Sequence, residues 1–163
     1  MQSMNESALV GGSELDLAGW RILHALEADA RLSFSRLATR VGLSPPAVAE
    51  RVRRMEEMGL ITSYRAIADR AQLGRPLMAF MRVTTKGESY PRLIALAQRL
   101  DTVIECHHVT GDDCFVIKLA VASVVELEAT IARFRRLGQT TTAIVLSTPI
   151  VDKPVRPVRR PLK

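Results

Sequence analysis

The feature that most constrains this chain is the short stretch Gly42-Leu43-Ser44-Pro45, which lies between two segments of helical pattern. Glycine favours the position just after a helix, whereas Ser followed by Pro supplies an N-cap and a first helical residue. The sequence therefore predicts that one helix ends before Gly42 and that another covers residues 45–58. A short helix, a tight turn and a second helix are typical of a helix-turn-helix.

Two further start signals precede this turn. Asp16 is a candidate N-cap for a helix within residues 15–28, and Ser33 is one for a helix over residues 34–41. Apolar residues recur in both segments at helical spacing. We therefore expect a three-helix DNA-binding domain over residues 14–61.

The net charge of +6 lies mostly outside this domain. Residues 14–61 contain seven arginines and seven acidic residues and so carry no net charge, whereas residues 150–163 contribute +4. The prediction of DNA binding therefore rests on the helical pattern and not on charge. The polar arm of residues 1–13 and the basic, Pro-rich tail of residues 151–163 are expected to be flexible. The tail is either a disordered end or a source of non-specific DNA affinity.

The predicted helix over residues 45–58 has an apolar face and a polar one. At about 100° per residue, Val48, Val52 and Met55 fall on one side, and charged residues fall on the other. Arginine on that side can bond a guanine edge or a phosphate, and glutamate can accept from a cytosine amino group. A solvent-exposed charged face without a ligand is the alternative interpretation, but it leaves the turn and its start signals unexplained.

Ten residues are the predicted DNA contacts. Ser44 and the amides of the helix N-terminus suit a phosphate, and the two arginines of the preceding helix are placed for backbone contacts. Arg51 could equally pair with Glu50, Glu56 or a neighbouring helix. The set consists of Arg36, Arg40, Ser44, Pro45, Pro46, Ala47, Glu50, Arg51, Arg53 and Arg54.

Beyond this domain the pattern changes. Residues 60–68 look extended and residues 71–74 form a turn, so that residues 62–75 are a predicted hinge strand or linker. Residues 76–150 then alternate between strand and helix patterns in the order β-α-β-β-α-β, which is the ferredoxin-like plan of an α+β domain. The strands are predicted over residues 77–85, 103–109, 114–121 and 140–147, and the helices over residues 90–100 and 124–137.

An ordered set of short motifs, with matching spacing, resembles the Lrp/AsnC family, the feast/famine transcription regulators. The resemblance covers residues 15–146, and any single motif in it is weak. It rests on Leu15-Asp16, Ile22-Leu23, Leu26, Asp29-Ala30-Arg31, Leu37-Ala38, Val41-Gly42-Leu43-Ser44, Val48, Arg51-Val52, Gly59-Leu60-Ile61, Tyr64, Ala66, Leu73-Gly74, Val109-Thr110-Gly111, Thr142 and Ile144-Val145-Leu146.

The resemblance implies a transcription regulator with an N-terminal winged helix-turn-helix, a hinge strand and a C-terminal ferredoxin-like domain. In such proteins the C-terminal domain forms dimers through its sheet and binds an amino-acid effector between dimers. The homodimers assemble further, to a tetramer, an octamer or a larger particle. Pro46 departs from the family, in which many members have Ser or Thr at this place on the recognition helix.

The resemblance places the effector near the turn that joins the second and third strands of the C-terminal domain. An acidic pair beside open backbone amides could hold both ends of a zwitterion, although a plain hairpin turn is the alternative interpretation. The family often has an aromatic residue and then Asp where this chain has Asp113 and Cys114. The predicted effector residues are Val109, Thr110, Gly111, Asp112, Asp113, Cys114, Thr140 and Thr142.

Other function classes find little support in the sequence. It contains no activated nucleophile, metal-ligand set or phosphate loop, so we expect neither an enzyme nor a cofactor other than a possible amino-acid effector. It has no membrane-length apolar run, no secretion signal and only two cysteines, which predict a cytoplasmic protein. The resemblance implies that it is associated with the bacterial or archaeal nucleoid. A sequence-specific regulator of transcription, bound to double-stranded DNA and modulated by an amino acid, is the main hypothesis. An architectural, nucleoid-type protein with little effector response is the alternative.

Overall fold

Three helices form the N-terminal part of the computed structural model, which describes residues 15–154. Within that range the chain divides into two compact units, residues 15–66 with 150–154 and residues 67–149. The predicted arm of residues 1–13 and residues 155–163 of the predicted tail lie outside the described residues. The helices are α1 (Leu17–Ala28), α2 (Phe34–Val41) and α3 (Pro45–Glu57).

Each of these helices begins after the N-cap that the sequence predicts. The side chains of Asp16, Ser33 and Ser44 each accept a hydrogen bond from the backbone amide three residues later. Such a cap satisfies an amide that the helix itself leaves without a partner. After α2, Gly42 has a left-handed φ of 73°, and only two residues separate it from the start of α3. The predicted helix-turn-helix is confirmed.

The apolar faces of the three helices share one core. Ile22 of α1, Leu37 of α2 and Val48 of α3 are completely buried in it. Burying a side chain of this size stabilises a fold by about 1.5–3 kcal/mol. The core therefore fixes which side of each helix points outward.

The predicted hinge strand forms no backbone ladder with any other segment of residues 15–154. Residues 62–69 carry neither helix nor strand, and a turn over residues 70–74 follows them. A strand requires a neighbouring strand for its amides and carbonyls, and the extended pattern over residues 60–68 cannot supply one by itself. Tyr64 instead contacts α3, since its hydroxyl donates a hydrogen bond of 2.8 Å to Glu56 Oε1. Burial and this carboxylate raise the pKa of Tyr64 to about 12.

The second unit is a four-stranded antiparallel sheet with two helices packed on one face. The strand order is β2-β3-β1-β4, which confirms the ferredoxin-like βαββαβ plan. Most boundaries fall within one or two residues of the predicted ones, but the last strand ends three residues earlier than expected. The elements are β1 (Leu77–Thr84), α4 (Tyr90–Arg99), β2 (Val103–His108), β3 (Phe115–Val121), α5 (Val124–Arg135) and β4 (Gln139–Ile144).

Alternate residues of β1 separate the two faces of the sheet. Met81 and Val83 are completely buried beneath the helices. Between and beyond them Phe80, Arg82 and Thr84 are exposed on the opposite face. Residues on one face of a strand recur with a period of two, so this face holds the side chains that the helices leave uncovered.

None of the helices in residues 15–154 is long and apolar enough to span a membrane.

Gly138 lies where a side chain does not fit. A Cβ at this position would overlap the carbonyl oxygen of Thr84 and lie 2.8 Å from Cβ of Thr85. Because backbone atoms cannot move aside cheaply, Gly138→Ala should lower the free energy of unfolding by about 1–3 kcal/mol, as overpacked substitutions do. Urea denaturation followed by circular dichroism measures the loss.

Gly87→Ala is the matched control, because a Cβ at Gly87 meets no atom within 4 Å. It should change the unfolding midpoint little. Equal losses in the two variants would contradict the packing argument, and so would no loss in either.

Candidate nucleic-acid interface

Helix α3 buries one face and exposes the other. Val48, Val52 and Met55 are 0%, 3% and 1% exposed. Arg53 and Arg54 are exposed, as is Glu50 on the same helix. The amphipathic arrangement inferred from the sequence is therefore the one that the structure adopts.

Arg53 is held by two carboxylates of its own helix. Its Nη2 lies 2.6 Å from Glu50 Oε1, its Nε lies 3.1 Å from Glu50 Oε2, and its Nη1 donates to Glu57 Oε1. The hydrogen bonds from Arg53 lower the pKa of Glu50, and Glu50 in turn raises the pKa of Arg53. Glu57 was not among the predicted contacts, although its spacing of four residues from Arg53 would have revealed it.

Arg51 is directed to another part of the domain. It pairs with a neighbouring helix: Arg51 Nη1 lies 2.8 Å from Oδ1 of Asp16, the N-cap of α1. The amide of Gly19, which donates to the same carboxylate, is the main cause of a lowered pKa for Asp16, and Arg51 adds to it. Arg51 thus ties α3 to the start of α1, and one of its guanidinium nitrogens is already bonded before DNA is met.

The N-terminus of α3 offers few free amides. Pro45 and Pro46 have no N–H, the amide of Ala47 donates to Ser44 Oγ at 3.4 Å, and the amide of Val48 donates to the Ser44 carbonyl at 3.1 Å. The expected cradle of helix amides for a phosphate is therefore absent from this first turn. What remains at this end is the exposed Ser44 side chain, whose hydroxyl can still donate its hydrogen.

Three arginines of the predicted set have no ion-pair partner among residues 15–154. Arg36 and Arg40 lie four residues apart on α2, hence on one face of it, and Arg54 lies on α3. All three are exposed. Their side chains are available to a phosphate or a base edge without breaking a contact that the fold makes.

The turn between β2 and β3 contains most of the predicted effector residues. The amide of Val109 donates to the carbonyl of Cys114 at 3.0 Å and closes the turn. Gly111 has a φ of 109°, a conformation that other residues adopt only with strain. Thr110, Gly111 and Asp112 are exposed at the tip.

Asp113 and Cys114 already have partners within the unit. Asp113 Oδ2 lies 3.5 Å from Arg82 Nη1, and its Oδ1 accepts from the Thr84 hydroxyl at 3.3 Å. Arg82 and Thr84 lie on the sheet face away from the helices, so the Asp113 carboxylate lies at the edge of that face. The Cys114 thiol donates to the carbonyl of Thr85 at 3.1 Å.

Thr140 and Thr142 lie on the sheet face that the helices cover. In β4 they stand opposite Val83 and Met81, whose side chains are buried beneath the helices. The buried hydroxyl of Thr142 has no hydrogen-bond partner among the described residues. A single chain therefore does not gather the eight predicted effector residues into one pocket.

A group of rings beside the turn was not anticipated from the sequence. The ring of His108 stacks on Phe115 with centroids 4.9 Å apart, and Tyr90 meets both rings edge-on at 5.0 and 5.1 Å. His108 and Phe115 stand opposite each other in the pairing of β2 with β3, and Tyr90 meets them from the start of α4, an arrangement that no local pattern reveals. Within residues 15–154, no group of three or more His, Cys, Asp or Glu is placed to hold a metal ion.

Comparison with known protein families connects both domains to one kind of protein. The AsnC-type helix-turn-helix domain matches residues 15–56, and the Lrp/AsnC ligand binding domain matches residues 78–155. The chain belongs to the Lrp/AsnC family of transcriptional regulators. It is therefore a DNA-binding regulator of transcription, and the members of its family are regulators and not enzymes.

Individual relatives match over most of their length. The HTH-type transcriptional regulator LrpC of Bacillus subtilis is 32% identical over 134 residues, covering 82% of this chain and 93% of LrpC. The leucine-responsive regulatory protein of Escherichia coli K12 is 33% identical over 142 residues, or 83% and 87% of the two chains.

Solved structures show the same fold. That of B. subtilis LrpC superposes with a TM-score of 0.81 over 86% of this chain and all of LrpC. A feast or famine regulatory protein of Mycobacterium tuberculosis, complexed with L-methionine, is 33% identical, with a TM-score of 0.76 over 85% of this chain and 96% of its own.

The ion pair between Asp16 and Arg51 generates a prediction about pH. A carboxyl whose pKa is lower in the folded state contributes stability above its unfolded pKa, and this contribution is lost as the pH falls through the folded value. Asp16→Asn keeps an N-cap but removes the charge. The wild type should therefore be more stable than Asp16→Asn at neutral pH, and the difference should shrink as the pH falls below the ordinary value of 3.8.

Denaturant titrations of both proteins across this pH range measure the difference. Arg51→Gln, which removes the same ion pair from the other side, should lose stability at neutral pH as well. A difference between wild type and Asp16→Asn that does not depend on pH would show that the charge of Asp16 contributes nothing.

Proposed function

We propose that this regulator binds double-stranded DNA sequence-specifically through the exposed face of α3, and that an amino acid bound to a homo-oligomer modulates it. One observation carries the first half. Helix α3 has a fully buried apolar stripe and, on its exposed side, two arginines and Glu50 that no neighbouring helix covers. In a helix-turn-helix, the second helix of the motif enters the major groove with such a face toward the bases.

Individual contacts follow from which side chains are free. Arg54 has no partner among residues 15–154 and has the geometry to bond the O6 and N7 atoms of guanine. Arg36 and Arg40, on the helix before the turn, are suited to phosphates, which fix the position of the protein without specifying sequence. The hydroxyl of Ser44 adds a phosphate contact at the start of α3. Pro46, where many relatives have Ser or Thr, offers only an apolar contact.

The effector half of the proposal rests on the ligand binding domain that residues 78–155 match and on the L-methionine complex of the M. tuberculosis relative. We assign the effector to the turn at residues 109–114. Asp112 is exposed there, and the pair of Asp113 with Arg82 offers a negative and a positive group at 3.5 Å. A zwitterion carries both complementary charges, so an amino acid fits this chemistry.

Exposed apolar side chains of the sheet support assembly of two copies through it. Phe80 of β1 is 42% exposed on the sheet face away from the helices, and the exposed Ala143 of β4 stands opposite it. Apolar side chains exposed on that face favour contact with a second copy. We propose a homodimer formed through this face, assembling further to a tetramer or octamer, that acts in the cytoplasm at the nucleoid.

Replacement of Arg54 tests the proposed DNA contact. Arg54→Ala should reduce the preference for a duplex selected in vitro over random-sequence duplex by roughly 5- to 150-fold, because a bidentate base contact is worth about 1–3 kcal/mol of discrimination. Arg36→Ala should instead weaken binding to both duplexes alike and reduce the slope of log affinity against log salt by about 0.9. Fluorescence anisotropy over a range of salt measures both quantities.

Arg21→Ala is the control, since Arg21 is also exposed but lies on α1. If Arg21→Ala and Arg54→Ala weaken binding equally on both duplexes, α3 does not read bases through Arg54.

A panel of amino acids tests the effector. At least one amino acid should change the particle mass in light scattering and the affinity for DNA. Asp113→Asn should reduce that response. Asp101→Asn, which also removes a carboxylate from the same unit, should not reduce it. If no amino acid changes mass or affinity, the protein is the architectural, nucleoid-type DNA binder instead. If Asp113→Asn responds as the wild type does, the effector lies elsewhere.

A further inference from the structure

The exposed face of α3 is acidic at the place proposed to meet a polyanion. Glu50, Arg53 and Glu57 lie three and four residues apart, on one side of the helix, with side chains 63%, 58% and 57% exposed. The three residues together carry a charge of −1. A surface that merely attracted phosphates would not have two carboxylates beside its central arginine.

The carboxylates occupy most of the hydrogen-bonding capacity of Arg53. Of its five N–H groups, that on Nε and one on Nη2 donate to Glu50, and one on Nη1 donates to Glu57. The edge formed by Nε and Nη2 is one of those with which arginine bonds guanine bidentately. In the free protein this edge is filled by Glu50.

Glu57 is poorly placed for a purely structural role. It is the last residue of α3, where the negative end of the helix dipole disfavours a carboxylate. Its pairing with Arg53 also has the less favourable orientation, because the basic residue precedes the acidic one. The Glu57 side chain is exposed and belongs to neither hydrophobic core.

We propose that Glu57 is a specificity-determining residue that suppresses sequence-independent binding of DNA. Its carboxylate repels phosphates of any duplex and, with Glu50, keeps Arg53 from forming indiscriminate phosphate contacts. An exposed ion pair is weak, so a base edge of the correct geometry can displace the carboxylates from Arg53. A solvated phosphate gains too little from Arg53 to displace them. This inference rests on the proposed placement of the exposed face of α3 against DNA.

Glu57→Gln in the full chain tests the proposal, with Glu27→Gln as the matched control. Glu27 is also an exposed acid in the last turn of a helix, α1, and has no ion-pair partner among residues 15–154. Both variants remove one negative charge from the same domain. Only Glu57→Gln removes it from the exposed face of α3.

The expected result is a change in discrimination. Glu57→Gln should tighten binding to random-sequence duplex about three- to tenfold, the effect of one charge a few ångströms from a phosphate in water, and should steepen the salt dependence. Binding to a duplex selected in vitro with the wild type should change less, so the ratio of the two affinities should fall. Glu27→Gln should leave that ratio unchanged.

Two results would overturn the inference. Equal behaviour of Glu57→Gln and Glu27→Gln would show that only the net charge of the domain matters, and weaker binding by Glu57→Gln would show that Glu57 makes a favourable contact. The failure of the underlying proposal looks different: the wild type would then enrich no duplex from a random pool, or would be insensitive to Arg54→Ala. Circular dichroism of both variants confirms that α3 is retained.

Discussion

Everything that α3 does depends on the burial of Val48, Val52 and Met55 against α1 and α2. These three side chains fix the rotation of the helix about its axis, and the rotation decides which residues face outward. Each buried side chain of this kind contributes about 1.5–3 kcal/mol, far more than any exposed ion pair on the opposite face. The core therefore sets the geometry, and the charged residues are presented by it.

A domain without net charge cannot hold DNA by bulk attraction. Its seven arginines are matched by seven acidic residues, and the structure shows two of those arginines bonded within the domain, Arg51 to Asp16 and Arg53 to Glu50 and Glu57. Such internal pairs reduce the field that attracts any phosphate backbone. What distinguishes one duplex from another must then come from a few directed contacts, which suits a sequence-specific regulator better than a general DNA-coating protein.

The sequence predicted the fold well where the signals are local. N-caps and a glycine mark the ends of the three N-terminal helices, and the strand order follows from the β-α-β-β-α-β order of the elements. Prediction failed where partners are distant: no local rule selects Asp16 for Arg51 or Arg82 for Asp113. Residues 60–68 show a further limit: their extended pattern predicts a hinge strand or linker, but whether the segment joins a sheet depends on a neighbouring strand, which no local pattern supplies. The missing amides at Pro45 and Pro46 were visible in the sequence, but their consequence required the cap geometry of Ser44.

The partners of Asp113 bear on how an effector could act. Because Arg82 and Thr84 already satisfy this carboxylate, an amino acid gains little by binding it in a single chain: one exposed ion pair would simply replace another. A useful affinity then requires additional contacts, and the second face of the sheet, where Thr140 and Thr142 lie, cannot supply them from the same chain. If those contacts come from another copy, the effector binds one assembly better than another. Its effect on DNA then follows from linkage, without any contact between the effector and DNA.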